Sequence, residues 1–575
     1  VGTDATNSIQ RINLASDTVD ETIPLGSSSY SSTLTAGNMQ VMPGSPGTIA
    51  VVRVIANTSP SEAADVAIFD GTSMRPNTAG LDQGTGLIID VVAFSDSGST
   101  LYGLDNEDGI STFTRMNVNA SGVSVQDTTP LLLGFGYHAT MAYSSGLVYS
   151  TFGTILSTST LSLQGRFPPN PSSLQGQSPY AESVLVNDGV PYLLTHNQTY
   201  GAMITAYDPQ TYLETAASVI SIASSDDENS LVPCGNGCFA FIEITGLPNL
   251  TTSVAISTGP LVPVAATPPT LGNLTPNHIL WNAAAQVLYA SIPGKAGSWG
   301  NSVAVINPAT QAIENTIFVG SDPDVLALSA DGAYLYVGLD GSTSIARLNL
   351  ASNMVDLTFF LGPEPNVGGP TLPASISVSP GDSTTVAVAR LNPDFQPEEE
   401  TVTIYQQGLA LPNATSDGTT VAFCNSGSVL YGLDGQSSDA FFTMSVDGTG
   451  ALQTGAAEGL IGGKEANIIC DANIVYASTG YAVDPLSNTQ LGIFPGLQTP
   501  AALAVDDTNE KVFFLDNNSG NSVSIVGFDQ SSYSQTGTLS VTAATSSARD
   551  LARWGANGFA VATQSQVLLL SGTLP

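Results

Sequence analysis

Three histidines, His138, His196 and His278, are the whole supply of imidazole in a chain of 575 residues, and they stand far apart in sequence. None forms an HxxxH or HExxH pair, so no helix-borne metal site is encoded. His138 follows Gly134-Phe-Gly-Tyr137 near an apolar run, where a hydrogen-bonded structural histidine is expected. No GxSxG nucleophile elbow and no phosphate-binding glycine loop occurs. Acidic clusters at Asp105-Asn-Glu-Asp108, Asp226-Asp-Glu228 and Asp506-Asp507 offer oxygen ligands of the kind Ca²⁺ takes. None has EF-hand spacing, so solvated turns are the expected reading. Glu398-Glu-Glu400, after Pro397, reads as an exposed loop. The expectation is a chain with no catalytic residue, no metal ligand and no cofactor.

The four cysteines form an even set. Cys234 and Cys238 flank Gly235-Asn-Gly237, a turn able to bring them together, which leaves Cys424 and Cys470 as a second pair. The alternative is metal binding, but paired CxxC spacing and a nearby histidine are both missing. Two disulfides are therefore expected, and they suit an oxidising compartment. Asn-x-Ser/Thr sequons at Asn57, Asn119, Asn197, Asn249, Asn273, Asn413 and Asn517 are candidate glycosylation sites of an exported protein.

Charged residues make up 10% of the chain, against about 25% in an average soluble protein. The net charge of -36 arises because basic residues are scarce, 12 against 48 acidic. Nucleic acid as a partner is unexpected, since binding it takes Lys and Arg to displace counterions. No apolar run reaches the 18 or so residues of a membrane helix, and no basic amphipathic stretch suits an anionic bilayer, so membrane insertion is not expected. The first residue, Val1, reads as the start of a processed chain or of a segment within a longer precursor.

Repeats organise the rest. Ser8-Ile-Gln-Arg-Ile-Asn-Leu-Ala-Ser16 matches Ser344-Ile-Ala-Arg-Leu-Asn-Leu-Ala-Ser352, and the flanks Val1-Gly-Thr-Asp4 and Val337-Gly-Leu-Asp340 agree. Ala93-Phe-Ser-Asp-Ser-Gly-Ser-Thr-Leu-Tyr-Gly-Leu-Asp105 likewise matches Ala422-Phe-Cys-Asn-Ser-Gly-Ser-Val-Leu-Tyr-Gly-Leu-Asp434. The order is kept, so the two halves read as a duplication. Within each half, polar turns near Pro46, Ser97, Ser144, Asp188, Asn236, Ala284, Asp331, Gly381, Ser426, Ala472, Thr508 and Ala556 recur at about 45–50 residues, each between two apolar runs. Alternation, β-branched residues and Gly/Pro/Asn/Asp punctuation predict four short strands per period. One such sheet cannot bury both faces, but sheets stacked around an axis can. The predicted fold is all-β: two tandem β-propellers of four-stranded antiparallel blades. Residues 1–262 form the first, 263–275 a linker or closure strand, and 276–575 the second.

The units resemble the YVTN-type propeller repeats of secreted and surface-layer proteins. The resemblance rests on Leu328-Ser-Ala-Asp-Gly332, Tyr334-Leu-Tyr-Val337, Ser302-Val-Ala-Val-Ile-Asn307 and Val319-Gly320. Trp554-Gly-Ala-Asn-Gly-Phe-Ala560 and Cys234-Gly-Asn-Gly-Cys-Phe-Ala240 look like a variant blade of such proteins. The resemblance implies a fold and an extracellular or cell-surface location, and no reaction.

Seven turn units in the second half predict seven blades. The first half has five full units, preceded by residues 1–26, which match only the later strands of the blade at 322–362. It is expected to be six- or seven-bladed with an incomplete leading blade. Three completions are open: closure by a strand from elsewhere in the chain, residues upstream, or strands from another subunit. The leading functional expectation is an extracellular structural or adhesive protein, the repeating subunit of a filament or surface coat. Its partners would be further copies of itself or other cell-surface proteins and glycans. A secreted binding module presenting propeller loops is the alternative. A lactonase- or lyase-type enzyme ranks third, because no acidic and histidine set converging on an axis is evident.

Overall fold

The turn Ser329-Ala-Asp-Gly332 shows how this sequence makes its sheets. Asp331 accepts the Ala333 N–H and the Ser329 hydroxyl at 3.0 and 2.7 Å. Gly332, at φ +68°, donates its N–H to the Ser329 carbonyl, and the Ser329 hydroxyl accepts from Tyr334 N–H. Short side chains thus complete the reversal while the flanking apolar runs pair as strands. Between third and fourth strands a second device recurs. Asn307, Asn349 and Asp484 each accept the N–H two residues on, at 2.9–3.0 Å.

The structure, a computed structural model, describes all residues except 4–5, 29–32, 56–61, 81–86, 106–111, 131–138, 169–180, 198–200, 221–226, 236, 246–250, 258, 266, 364–368, 394–398, 417, 436–438, 464–465, 519–521, 543, 545–547, 572–573 and 575. It is all-β, a series of four- and three-stranded antiparallel meanders with propeller-like blade architecture. The chain divides into two compact units. Unit 1 comprises residues 1–210, 214–264 and 367–369, and unit 2 comprises 211–213, 265–366 and 370–575.

In unit 1 the described strands form sheets 1 to 6, at residues 2–24, 34–74, 91–130, 141–166, 183–220 and 227–257. Sheets 1 and 6 have three strands. Sheet 5 gains a fifth, Val262–Pro263, paired with Ala216 and Ala217. Unit 2 holds sheets 7 to 13, at 279–318, 323–360, 372–416, 420–457, 468–493, 500–540 and 548–571. All have four strands except sheet 13, which has three. One parallel bridge, Asn413 to Gly450, joins sheets 9 and 10, and Asn77 to Gly122 does the same for sheets 2 and 3. The described polar turns predicted from sequence all separate first from second strands; Asn236 lies outside the described residues. One expectation is corrected. Glu400 is not on an exposed loop but is buried in the strand Glu399–Gln406, where its carboxylate accepts the Gly418 N–H at 3.0 Å.

The apolar core is divided into layers, each between consecutive sheets. In unit 1, Ile9 and Ile23 of sheet 1 pack on Val51 and Phe69 of sheet 2, and Val52 of sheet 2 packs with Val92 and Leu101 of sheet 3. In unit 2, Val337 meets Val303, Tyr405 meets Tyr336, Phe442 meets Ile404, Val475 meets Leu433, Phe514 meets Tyr476 and Phe559 meets Phe513 within successive layers. The seventh layer combines Leu288 and Ala290 of sheet 7 with Ala560 and Ala562 of sheet 13. Second strands are accordingly buried on both faces, as in Val287–Ile292, while fourth strands such as Ala312–Phe318 are largely exposed.

First strands lie side by side in sequence order, and in unit 2 that of sheet 13 also neighbours that of sheet 7. Side chains on several first strands take backbone N–H groups of the next. Asn38 accepts from Val92, Ser183 from Leu231, Ser375 from Val421 and Ser377 from Phe423, at 2.9–3.3 Å. These bonds satisfy donors that the sheet ladders leave over.

Candidate functional site

The seven first strands of unit 2 surround a cavity of about 670 Å³. Its walls mix apolar side chains, among them Ile279, Ile376, Val421, Ile468 and Leu503, with the polar Ser375, Thr420 and Asn467. Ionisable groups sit toward the strand ends. His278, Asp324, Arg549 and Asp550 lie where their strands begin, and Asp471 and Asp507 lie where theirs finish.

His278 is held on three sides. Its N–H donates to the Ser291 hydroxyl at 3.0 Å, and its Nδ1 accepts the Leu326 N–H at 3.1 Å. Its Nε2 lies 3.4 Å from Asp550 Oδ2, which also accepts the Ile279 N–H at 2.7 Å. With Nδ1 occupied as an acceptor, the imidazole is the Nε2–H tautomer, a donor toward Asp550. The pair therefore ties sheet 13 to sheet 7 and sheet 7 to sheet 8. It resembles a structural latch more than an acid–base couple.

Beside it lie three further carboxylates. Burial raises the Asp324 pKa, opposed by nearby His278 and Arg549. Asp340 is held well above the usual carboxylate range, by burial first and then by the charges of Asp324 and Asp322. Its Oδ1 has no hydrogen-bond partner among the described residues. Asp322 spends its Oδ1 on the Gly294 N–H, 2.9 Å away. At the other end burial raises Asp471, helped by Asp507. Among the described residues no group of three or more His, Cys, Asp or Glu side chains is arranged to hold a metal ion. The cavity can admit a small polar molecule.

The structure joins Cys234 to Cys238 and Cys424 to Cys470, leaving no free cysteine. The first closes the opening hairpin of sheet 6, and the second links sheets 10 and 11. Asn119, Asn273 and Asn413 are exposed. Asn517 is engaged: its Nδ2 donates to the Ala548 carbonyl and its Oδ1 accepts the Ala548 N–H, at 3.0 and 3.2 Å. Asn57, Asn249 and His138 lie outside the described residues, as do the side chains of Asn197 and His196. Of the acidic clusters, Asp506 accepts from Asn509 N–H and Arg553 at 3.2 and 3.0 Å; residues 106–108 and the side chains of 226–228 are outside the description. The sequence reading missed the grouping of Asp322, Asp324 and Asp340. Its signal was the run Asp322-Pro-Asp324 facing Gly338-Leu-Asp340 across one hairpin, where Asp340 N–H meets the Asp322 carbonyl at 3.0 Å.

No protein-family model matches the chain, and no curated protein does. Among solved structures it is weakly similar to the β-propeller domain of Myceliophteria thermophila Cps50 (Swd1), at 12% identity over 52% of this chain and 97% of that one, with a TM-score of 0.39. A chain of the mitotic checkpoint complex is similar at 12% identity over 53% of this chain and 89% of the other, with a TM-score of 0.40. Both likenesses concern the propeller fold alone.

Proposed function

We propose that this chain is an exported, non-catalytic structural protein of YVTN-type repeats: two tandem β-propellers, the second a closed seven-bladed ring, whose outer rims associate with further copies in a filament or surface coat. The observation that carries this reading is the chemistry of the rims. Lysine or proline in an outermost strand blocks pairing with another sheet, and Pro24 and Pro412 are such prolines here. The whole chain has three lysines, Lys295, Lys464 and Lys511, and none lies in a described outermost strand. Val19, Phe318, Met354, Leu409, Leu452, Leu491 and Ile493 are instead exposed there. The two disulfides support export to an oxidising compartment. The cyclic order of core layers in unit 2 supports ring closure.

Negative-stain microscopy with light scattering across a concentration series tests the proposal. Regular polymers or defined oligomers are expected; monodisperse monomers at all concentrations overturn it. The cavity of unit 2 supports a second reading, a binding module for a small polar ligand. A saturable thermal shift with a saccharide panel, lost in the Asp324→Ala variant, would favour that reading.

A further inference from the structure

Sheet 6 ends at the strand Thr251–Ser257, the third in a unit whose sheets 2 to 5 each have a fourth. No described strand pairs with its outer side, and Val254 and Ile256 are 67% and 56% exposed. Because side chains alternate across a strand, Thr252, Val254 and Ile256 share one face. All three are β-branched, the residue type that packs best between paired strands. The opposite face carries Thr251, Ser253, Ala255 and Ser257, and there the Ser253 hydroxyl donates to Glu243 at 3.2 Å.

Charge selects the occupant. Two copies of a chain with a net charge of -36 repel wherever carboxylates face one another. From Ile244 to Gly294 the sequence contains no Asp, Glu, Lys or Arg, and this strand lies within that stretch. A second copy can therefore approach with no charged side chain on the paired edge itself, since Glu243 lies one strand inward, bonded to Ser253. The stripe is also self-complementary. Antiparallel pairing of the strand with itself, centred on Val254, sets Val254 against Val254 and Thr252 against Ile256.

We propose that Thr251–Ser257 is a homodimer seam, in which the same strand of a second copy adds in antiparallel register as the fourth strand of sheet 6. The seam rests on the self-association reading and gives it a location. It forms an isologous pair, and polymer growth then uses other rim edges.

The test is cysteine cross-linking of the full chain, since both native pairs are closed and an added cysteine is the sole free thiol. Directly opposed residues have Cα atoms about 4.5–5.5 Å apart, inside the disulfide range of about 4.4–6.8 Å. Val254→Cys is expected to give at least ten times more cross-linked dimer than Val219→Cys, another exposed rim position. The double variant Val254→Lys/Ile256→Lys, at two solvent-facing sites, should lower the dimer population at least tenfold with an unchanged circular dichroism spectrum. Assembly that persists in the double variant, with no selective cross-link at residue 254, overturns the seam and leaves the wider reading standing. A chain that stays monomeric in every condition overturns both.

Discussion

The carbonyl of Asn413 occupies the space where a side chain on Gly450 would begin, so that a Cβ there would overlap it. Gly450 has φ +128°, a region open in practice to glycine alone, and the two residues form the bridge between sheets 9 and 10. Gly122 stands in the same relation to Asn77 in unit 1, at φ +126°. Gly450→Ala is expected to cost about 2–3 kcal/mol from strain and overlap together. Gly448→Ala, two residues away in open space, is the control and should be near neutral. All three tryptophans, Trp281, Trp299 and Trp554, lie in unit 2, so tryptophan fluorescence during urea unfolding reads that unit selectively.

Arg53 and Arg390 hold corresponding places in the two units with different partners. Arg53 donates to Asp65 at 2.7 Å and to the Leu25 carbonyl at 2.9 Å. Arg390 donates to the Thr401 hydroxyl at 3.0 Å and to the Leu361 carbonyl at 2.8 Å. Asp65→Asn strands a buried guanidinium and should cost about 3–5 kcal/mol. Thr401→Ala removes one neutral acceptor and should cost about 1 kcal/mol. Hydrogen exchange of the strands Thr48–Ile55 and Thr385–Asn392 measures each loss in its own unit.

The pH dependence of unit 2 has a definite sign at Asp340. Its folded pKa is raised above the unfolded value of about 3.9, so the folded state keeps a proton that the unfolded state releases. That group favours folding most below about pH 4 and loses this contribution as pH rises through its folded pKa. Asp340→Asn should therefore raise the fluorescence-detected melting temperature at pH 7 and leave it unchanged near pH 3. A variant that melts lower at pH 7 would refute the assignment. Asp382 acts in the opposite direction. Hydrogen bonds from Thr385 and Thr384 lower its pKa, so its contribution is present above about pH 4 and is lost on acidification.

The two disulfides close loops of different length, with sequence separations of 4 and 46 residues. In the chain-entropy account these correspond to about 2 and about 4 kcal/mol. The double variant Cys424→Ala/Cys470→Ala should destabilise unit 2 more than Cys234→Ala/Cys238→Ala destabilises unit 1. Denaturant titrations of oxidised and alkylated protein decide the order.

The meanders were legible in the sequence because each is local: a Ser-x-Asp-Gly or Asn-centred turn fixes a reversal within a few residues, and the period repeats. The cavity was not legible. His278 and Asp550 are neighbours only because sheet 13 packs on sheet 7, and no short spacing connects them. Glu400 was misread because a run of acids after proline looks solvated, whereas strand alternation turns its last member inward. The Arg–Asp pairs were a missed signal. Arg53–Asp65 and Arg115–Asp127 repeat an interval of 12 residues as cross-strand partners in adjacent sheets, and Arg11–Asp20 and Arg347–Asp356 repeat one of 9.

The layer between sheets 7 and 13 has a kinetic consequence. Leu288, Ala290 and Ile306 lack the cover of Ala552, Ala560 and Ala562 until the strands of 548–571 have been made and docked. Unit 2 thus depends on a contact between its first and last sheets, the kind of long-range pairing that slows folding and leaves apolar surface open meanwhile. A nascent chain lacking sheet 13 would be adhesive along that face, so holding it unfolded until sheet 13 has been made would be safer than letting it collapse early.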